Sequence, residues 1–158
     1  MDIIEIFSQY YEYFLRGTRT TIVVALITVC LGTLLGCLIA LLRLSKNRFL
    51  NGFARLYITV LRGTPMLVQL YIVYYQLDFL PYPDGSIFGA DLDRIIPCVI
   101  ALAMNSSSYV AEVIRSGIQA VDHGQMEAAR SCGMTSGQAM RYIVMPQAVK
   151  NILPAIGN

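Results

Sequence analysis

The stretch TTIVVALITVCLGTLLGCLIALL, from Thr20 to Leu42, runs for 23 residues without a charged side chain. At about 1.5 Å per residue, a helix of this length covers a hydrocarbon core about 30 Å thick, so a membrane span is predicted. Within it, Gly32 and Gly36 form a Gly-x-x-x-Gly pattern. The pattern either allows a second helix to approach closely or reflects how common glycine is in membrane helices.

The composition also favours a membrane protein. Of 158 residues, 56% are hydrophobic and 14% are charged, whereas soluble domains average about 25% charged residues. The mean hydropathy is +0.57, and the net charge of +2 is too small to indicate binding to nucleic acid. The four cysteines lack metal-type spacing and the one histidine, His123, lies in a polar turn, so no metal site is predicted. The sequence contains no catalytic triad or phosphate-binding loop.

A second span is predicted over residues 56–77. The apolar run Pro65–Leu77 has 13 residues, which is too short to cross a bilayer unless it joins the apolar residues a few positions earlier. Thr64 and Pro65 are typical of an N-cap and the first residue of a helix. A break or kink near Gly63 is therefore expected within this span.

A third span is predicted over residues 95–114, and the remaining segments complete the organisation of the chain. Residues 1–19 contain a tyrosine cluster and suit a helix at the membrane interface. Residues 78–94 form a polar, turn-rich loop, and a second polar segment follows the third span at about 119–150. Residues 20–158 are expected to form one transmembrane domain.

Several polar side chains fall inside the predicted spans. Unpaired polar groups in hydrocarbon are costly, so these side chains should face protein or a watery cavity. They either line a hydrophilic substrate path or make hydrogen bonds between helices; they are Gln69, Asn105, Ser107 and Ser108. Glu112 and Arg115 are three positions apart on one helix, so they either pair with each other or form part of a gate.

The segment after the third span predicts two short helices. An Asp-x-x-Gln pattern begins at Asp122 and a Thr-x-x-Gln pattern begins at Thr135, and both approximate capping boxes that start helices. Gly133 lies between them and suits a helix end with positive φ. Pro146 is expected to end or kink the second helix. The prediction is an elbow at Gly133.

The distribution of basic residues predicts the orientation. Residues 43–62 carry five Lys or Arg and residues 115–150 carry four, whereas the N-terminal segment and the 78–94 loop together carry three. Cytoplasmic loops of membrane proteins are enriched in Lys and Arg. The two basic segments are therefore expected in the cytoplasm and the N-terminus outside.

A spaced motif in the second cytoplasmic segment indicates a family. Glu127-Ala128-Ala129 is followed by Gly133 and then by Ile143-Val144-Met145-Pro146. This spacing resembles the EAA loop of ABC-transporter permeases, although Leu is usual where Met145 stands; a flexible apolar residue fills the same space. The stretches Leu61–Gln69 and Tyr109–Arg115 narrow the resemblance to permeases of polar amino-acid importers, the histidine/glutamine/arginine group.

The resemblance implies an all-α multi-pass protein of the bacterial inner membrane with the type I ABC importer permease fold, which typically has five spans. Three spans and the cytoplasmic EAA coupling helices are expected here, with the last two spans absent. The implied partners are an ATP-binding subunit, a second permease copy or paralogue, and an extracellular solute-binding protein that delivers an amino acid. ATP and magnesium would bind to the ATPase, so neither a cofactor nor enzymatic activity is expected in this chain.

The resemblance also implies that the ATPase docks on six residues of the loop: Glu127, Ala128, Ala129, Gly133, Met145 and Pro146. The residue types suit this role, because small alanines permit close approach and a carboxylate near a helix start is available to a partner cation. The pattern alone also allows an amphipathic hairpin that lies on the membrane.

Three other functions are weighed from the residues. A channel or a secondary transporter would need no docking loop on the cytoplasmic side. An intramembrane enzyme is disfavoured, because the one histidine lies outside the membrane and away from the serines at 106–108. The third alternative is a fragment that has no activity alone.

Overall fold

The computed structural model describes residues 3–76 and 81–157, so the end of the predicted second span and the start of the predicted 78–94 loop lie outside the described residues. The described chain is helical apart from one short hairpin, which confirms the all-α prediction. In chain order the elements are α1 (Ile3–Leu44), α2 (Arg48–Gly63), α3 (Met66–Gln76), β1 (Ser86–Ile87), β2 (Ala90–Asp91), α4 (Leu92–Gln119), α5 (His123–Ser131), α6 (Ser136–Ala139), a π-helical turn (Met140–Val144) and α7 (Met145–Gly157).

Helix α1 runs through two segments that were predicted separately. One helix of 42 residues, Ile3–Leu44, contains most of the predicted interfacial segment 1–19 and all of the predicted span 20–42, with no break in the helix at residue 19. Three threonine hydroxyls at this junction donate to carbonyl oxygens four residues earlier, at Thr18, Thr20 and Thr21. Their polar groups are satisfied inside the helix, which is why a polar stretch does not interrupt it.

Helices α1 and α4 run in the same direction. Their contacts advance together along the chain: Arg16 of α1 lies against Gly89 just before α4, Gly32 lies against Ser106, and further on Gly36 lies against Val110. A Cβ atom at Gly36 would stand 2.7 Å from the Val110 side chain. The close-approach alternative for the glycine pair is therefore confirmed.

Both of these helices are long and apolar enough to cross a membrane, over Phe7–Leu44 and Leu92–Gln119. The third span is thus longer than the predicted 95–114 at both ends. Because α1 and α4 are parallel, the chain between them has to return from the end of α1 to the start of α4. Helices α2 and α3 make this return.

The return is a broken helix pair, which is one of the two forms predicted near Gly63. Helices α2 and α3 are long and apolar enough for a span only together, and their axes differ by 107° across the break at Thr64 and Pro65. The predicted position of the break is therefore confirmed. Proline offers no backbone N–H to continue the helix and restricts the residue before it to extended conformations, as Thr64 adopts with φ −114° and ψ 143°.

Two apolar clusters hold these helices together. The first joins α1, α2 and α4 through Ile39, Ala40, Ala54, Ile58 and Ala111. The second fixes the C-terminal helices to the end of α4 through Val121, Val144, Ala148 and Ile152. The described fold is therefore a packed three-helix layer with a helical hairpin attached at the end where α1 and α4 terminate.

Candidate functional site

One side chain, that of Gln69, makes hydrogen bonds with the free carbonyl groups at the break between α2 and α3. The last carbonyl groups of a helix have no partner within it, and Pro65 cannot supply a donor. The Gln69 side chain is 8% exposed and its amide nitrogen donates to the carbonyl of Leu61 at 2.7 Å and of Thr64 at 3.0 Å. Its amide oxygen accepts from Asn105 Nδ2 at 3.0 Å. Gln69 therefore ties the broken span to α4.

Three consecutive polar residues of α4 contact three different helices. Asn105 reaches α3 through Gln69, Ser106 lies against Gly32 of α1, and Ser107 Oγ shares a hydrogen bond of 2.8 Å with the Tyr57 hydroxyl of α2. Successive positions on a helix point about 100° apart, which permits this division. The centre of α4 is thus a polar junction of the described helices.

The same contacts bear on the predicted substrate path. Ser107 and Ser108 are 0% exposed and also donate to the carbonyls of Met104 and Asn105, each at 2.7 Å. In this conformation both hydroxyls make hydrogen bonds within the helix layer, and a role for Ser107 and Ser108 in a substrate path stays a prediction. A path lined by Gln69 and Asn105 stays a prediction.

Glu112 and Arg115 form the local pair that their spacing predicts. Arg115 Nε donates to Glu112 Oε2 at 2.9 Å, and a second guanidinium nitrogen donates to Glu112 Oε1. Arg115 also donates to Gln119 Oε1. A role for the pair in a gate stays a prediction.

The segment after α4 folds as the predicted pair of helices with an elbow. Asp122 accepts from the Gly124 backbone N–H at 2.7 Å, and Thr135 and Gln138 form a complete capping box. Gly133 has φ +88°. The backbone N–H of Gly133 donates to Arg130 and that of Met134 donates to Ala129, the paired bonds of a Schellman motif. Both helix ends at the elbow are therefore satisfied by local bonds.

Pro146 neither ends nor sharply interrupts the second helix. A π-helical turn, Met140–Val144, precedes it, and the Met145 N–H donates to the carbonyl of Met140, five residues back. A proline ring clashes with the preceding turn of a regular α-helix. We infer that the wider turn gives the ring room, so that α7 continues through Pro146 to Gly157. Of the two predicted effects of Pro146, termination is therefore wrong, and the helix is instead distorted by the π-helical turn just before the proline.

The hairpin formed by α5 and α7 is anchored on α4. Gly117 of α4 lies so close to Ile152 of α7 that a Cβ atom there would overlap the isoleucine side chain. The Gln147 side chain joins the two arms by donating to Gln125 Oε1 at 3.3 Å. The hairpin that contains the elbow is thus packed on the end of α4, the helix whose centre forms the polar junction.

The six predicted docking residues do not all face outward. Glu127, Ala128, Gly133 and Pro146 are exposed, and Met145 is half-buried. Ala129 is 7% exposed, and it supplies the carbonyl that Met134 uses in the elbow. Ala129 thus packs within the hairpin, and its direct contact with a partner stays a prediction.

Comparison with protein-family models decides the family. Residues 32–158 match the model described as "Binding-protein-dependent transport system inner membrane component". The chain belongs to this family. The match covers α4, the elbow and the broken span, which are the elements that carry the geometry described above.

Several relatives of this inner membrane component are named as permease proteins of transport systems. The present chain is 40% identical to a putative glutamine transport system permease protein of Rickettsia prowazekii, over 95% of this chain and 67% of that protein. It is 38% identical to the arginine transport system permease protein of Bacillus subtilis, over 92% of this chain and 64% of that protein. It is 40% identical to an octopine transport system permease protein of Rhizobium meliloti, over 91% of this chain and 59% of that protein. The chain thus spans about two thirds of the length of these relatives.

A solved structure agrees with the fold. The inner membrane component superposes with a TM-score of 0.83 and 43% sequence identity on a chain from the crystal structure of an amino acid ABC transporter with histidines. The superposition covers 100% of this chain and 70% of that chain. The resemblance to an ABC-transporter permease is confirmed by this match and by the family.

Two residues of the inner membrane component were not singled out in the sequence. Tyr57 was one member of an apolar run, yet its hydroxyl reaches the carbonyl of Met104 and the hydroxyl of Ser107. Gly117 was one of several glycines, yet it decides where α7 crosses α4. The tyrosine within an otherwise aliphatic run is a signal for Tyr57, whereas the role of Gly117 depends on Ile152, a residue of α7 much further along the chain.

Proposed function

We propose that this chain is the transmembrane subunit of an ATP-driven importer of polar or charged L-amino acids. The observation that carries the proposal is the capped hairpin, with its elbow at Gly133 exposed and its arms packed on the end of α4. A segment that transmits motion has to be short, rigid and accessible to a partner. The hairpin meets these requirements.

The mechanism we propose is mechanical coupling from an ATPase to the spans. The ATPase would contact Glu127, Ala128 and the elbow, and a displacement of the hairpin would act on α4 through the cluster around Ile152. Because α4 also carries the polar junction, its movement would change the packing of α1, α2 and α3 around Asn105. ATP and magnesium bind to the partner in this proposal, and this chain performs no chemistry.

The amino-acid specificity rests on the relatives and on the character of the junction. Glutamine, arginine and octopine name the transport systems of three relatives, and all three compounds carry amino and carboxylate groups. Gln69 and Asn105 offer neutral donors and acceptors at mid-depth of the helix layer. A second permease copy or paralogue and an extracellular solute-binding protein complete the proposed assembly, with the N-terminus outside.

Coupling is tested by two variants of the full-length protein assembled with its partners. Glu127→Lys reverses a charge on the docking face, and Gly133→Arg places a large side chain at a positive φ. We expect normal insertion in the membrane, with amino-acid uptake lost or reduced at least tenfold relative to the ATP hydrolysed.

The control reverses a charge at the opposite end of the molecule, with Asp84→Lys, which lies before the β-hairpin and is exposed. Its uptake should match that of the unmodified protein. Normal uptake by both hairpin variants would contradict the coupling role. Uptake that continues without any ATP hydrolysis would instead support a channel or a secondary transporter.

The substrate class has a separate test. Uptake of a labelled amino acid is measured against a panel of unlabelled amino acids, sugars and dipeptides. We expect inhibition by a subset of polar or charged L-amino acids. Inhibition by a sugar and by no amino acid would refute the substrate class and leave the coupling role intact.

A further inference from the structure

A cavity of about 260 Å³ lies where α1, α2 and α4 meet, near the ends of α1 and α4. At roughly 30 Å³ per water molecule it has room for about eight waters. Four of the seven lining residues are arginines and one is a glutamate: Arg43, Arg55, Ile58, Thr59, Arg62, Glu112 and Arg115. The lining therefore carries a net charge of +3.

The excess positive charge is not neutralised by the described part of the chain. Only Arg115 forms an ion pair there, and it occupies both oxygens of Glu112. Arg43 donates to the neutral side chain of Asn51 at 2.6 Å, and Arg62 lies 5.2 Å from the centre of the Tyr109 ring. Within residues 3–76 and 81–157, Arg55 has no ion-pair partner.

The arrangement of α2 directs two of these arginines to the same face. Arg55, Thr59 and Arg62 occupy positions i, i+4 and i+7, which share one side of an α-helix. Arg43 approaches from the last turn of α1, and Arg115 approaches from α4. Three helices thus deliver guanidinium groups and one hydroxyl to a single space.

We propose that this cavity binds a phosphate group, either the head group of an anionic phospholipid or free inorganic phosphate. A guanidinium offers several N–H donors in a planar fork that matches phosphate oxygens, and bonds between two charged groups are the strong ones. The cavity lies at the end of two spans, where head groups lie. Basic pockets between spans on the cytoplasmic side are suited to anionic head groups.

The test measures retention of phosphatidylglycerol by the full-length permease in neutral detergent, by native mass spectrometry, with phosphatidylcholine as the zwitterionic comparison. The cavity variant is Arg55→Gln/Arg62→Gln. The control variant, Lys46→Gln/Arg48→Gln, removes the same charge from two exposed residues outside the cavity. We expect the cavity variant to bind phosphatidylglycerol about tenfold more weakly or worse, and the control to change by less than about twofold.

A third variant keeps the test independent of folding. Glu112→Gln removes the one negative charge of the lining and should strengthen retention, which a damaged protein would not do. Added inorganic phosphate distinguishes the two possible ligands. If phosphate displaces the lipid, the cavity also binds free phosphate; if it does not, the cavity binds only the lipid head group. Equal losses in both double variants, no loss in the cavity variant, or equal retention of both lipids would overturn the proposal.

Discussion

At the scale of single residues, the packing of α1 against α4 depends on two glycines, which have no side chain. Gly32 and Gly36 leave the surface of α1 flat where Ser106 and Val110 of α4 press against it. Close approach of two helices maximises van der Waals contact in an environment where lipid competes equally for apolar surface. The main helix pair therefore has little tolerance for added volume along this line.

We predict that Gly36→Val destabilises the protein by about 1–3 kcal/mol, because the new side chain overlaps Val110 and forces the helices apart. Gly17→Val is the matched control, since Gly17 lies on the same helix with nothing within 4 Å of its Cβ position. The measurement is the free energy of unfolding in mixed detergent micelles. Equal effects of the two substitutions would show that the contact has no energetic role.

A second prediction concerns the pair Gln69 and Asn105. Gln69→Leu leaves buried carbonyls and an amide unsatisfied and should cost about 1–3 kcal/mol. Gln76→Leu, at the exposed end of the same helix, should cost no more than about 0.5 kcal/mol. In a double-mutant cycle with Asn105→Leu, we expect a coupling energy of about 0.5–2 kcal/mol. Strict additivity would mean that the hydrogen bond of 3.0 Å contributes nothing.

At the scale of elements, the elbow between α5 and α6 has a defined backbone that only certain residues adopt. Gly133 has φ +88° and open space around its Cβ position, whereas Gly137 is helical and also has open space around it. The same substitution at these two positions should therefore change the stability of the hairpin in opposite directions, and at neither position would the new side chain touch a neighbouring residue.

Gly133→Ala should destabilise the hairpin by about 1–2 kcal/mol, because an L-residue is strained at positive φ. Gly137→Ala should stabilise it by up to about 1 kcal/mol through helix propensity. Hydrogen exchange of the backbone amides in residues 123–157 reports both changes locally. Protection that moves in the same direction in both variants would contradict the elbow described here.

The elements that could be predicted from sequence are those set by local chemistry. The charge-free run after Thr20, the capping box at Thr135 and the positive φ at Gly133 depend on residues close to each other in the chain, and each is present. The Thr-Pro pair also predicts where the chain breaks, but not the angle of 107°, because that angle depends on contacts such as the one between Gln69 and Asn105, which are 36 positions apart.

The candidate site was predictable to a smaller extent, for the same reason. The docking residues are implied by the resemblance to the EAA loop, but the inward orientation of Ala129 depends on how α5 packs. The hydrogen bond that Ser107 makes outside its own helix depends on Tyr57, which lies 50 positions away. The continuation of α7 through Pro146 required a π-helical turn that no local residue pattern indicated.

At the scale of the whole molecule, the parallel arrangement of α1 and α4 restricts the topology. Their first residues lie at one end of the helix layer, and the hairpin lies at the other end with the 43–62 segment. The nine basic residues of these two segments, against three elsewhere, predict that the hairpin end is cytoplasmic. The N-terminus and the β-hairpin are then external.

We predict that an impermeant thiol reagent separates these two ends in intact cells. A single cysteine at the exposed position 84 (Asp84→Cys) should react from outside, whereas the native, exposed Cys132 should react only after the cells are permeabilised. Each is tested alone after the other cysteines are replaced. Labelling of position 84 only after permeabilisation would reverse the topology.

The central claim is that the hairpin of α5 and α7 is the surface that receives an ATP-hydrolysing partner. The most direct test places a photo-crosslinking amino acid at the exposed Ala128 in the full-length protein, and at Asp84 as the control at the opposite end. The account predicts a crosslink from position 128 to the ATP-hydrolysing subunit, and none to it from position 84. A crosslink to that subunit from position 84 but not from position 128 would contradict the account.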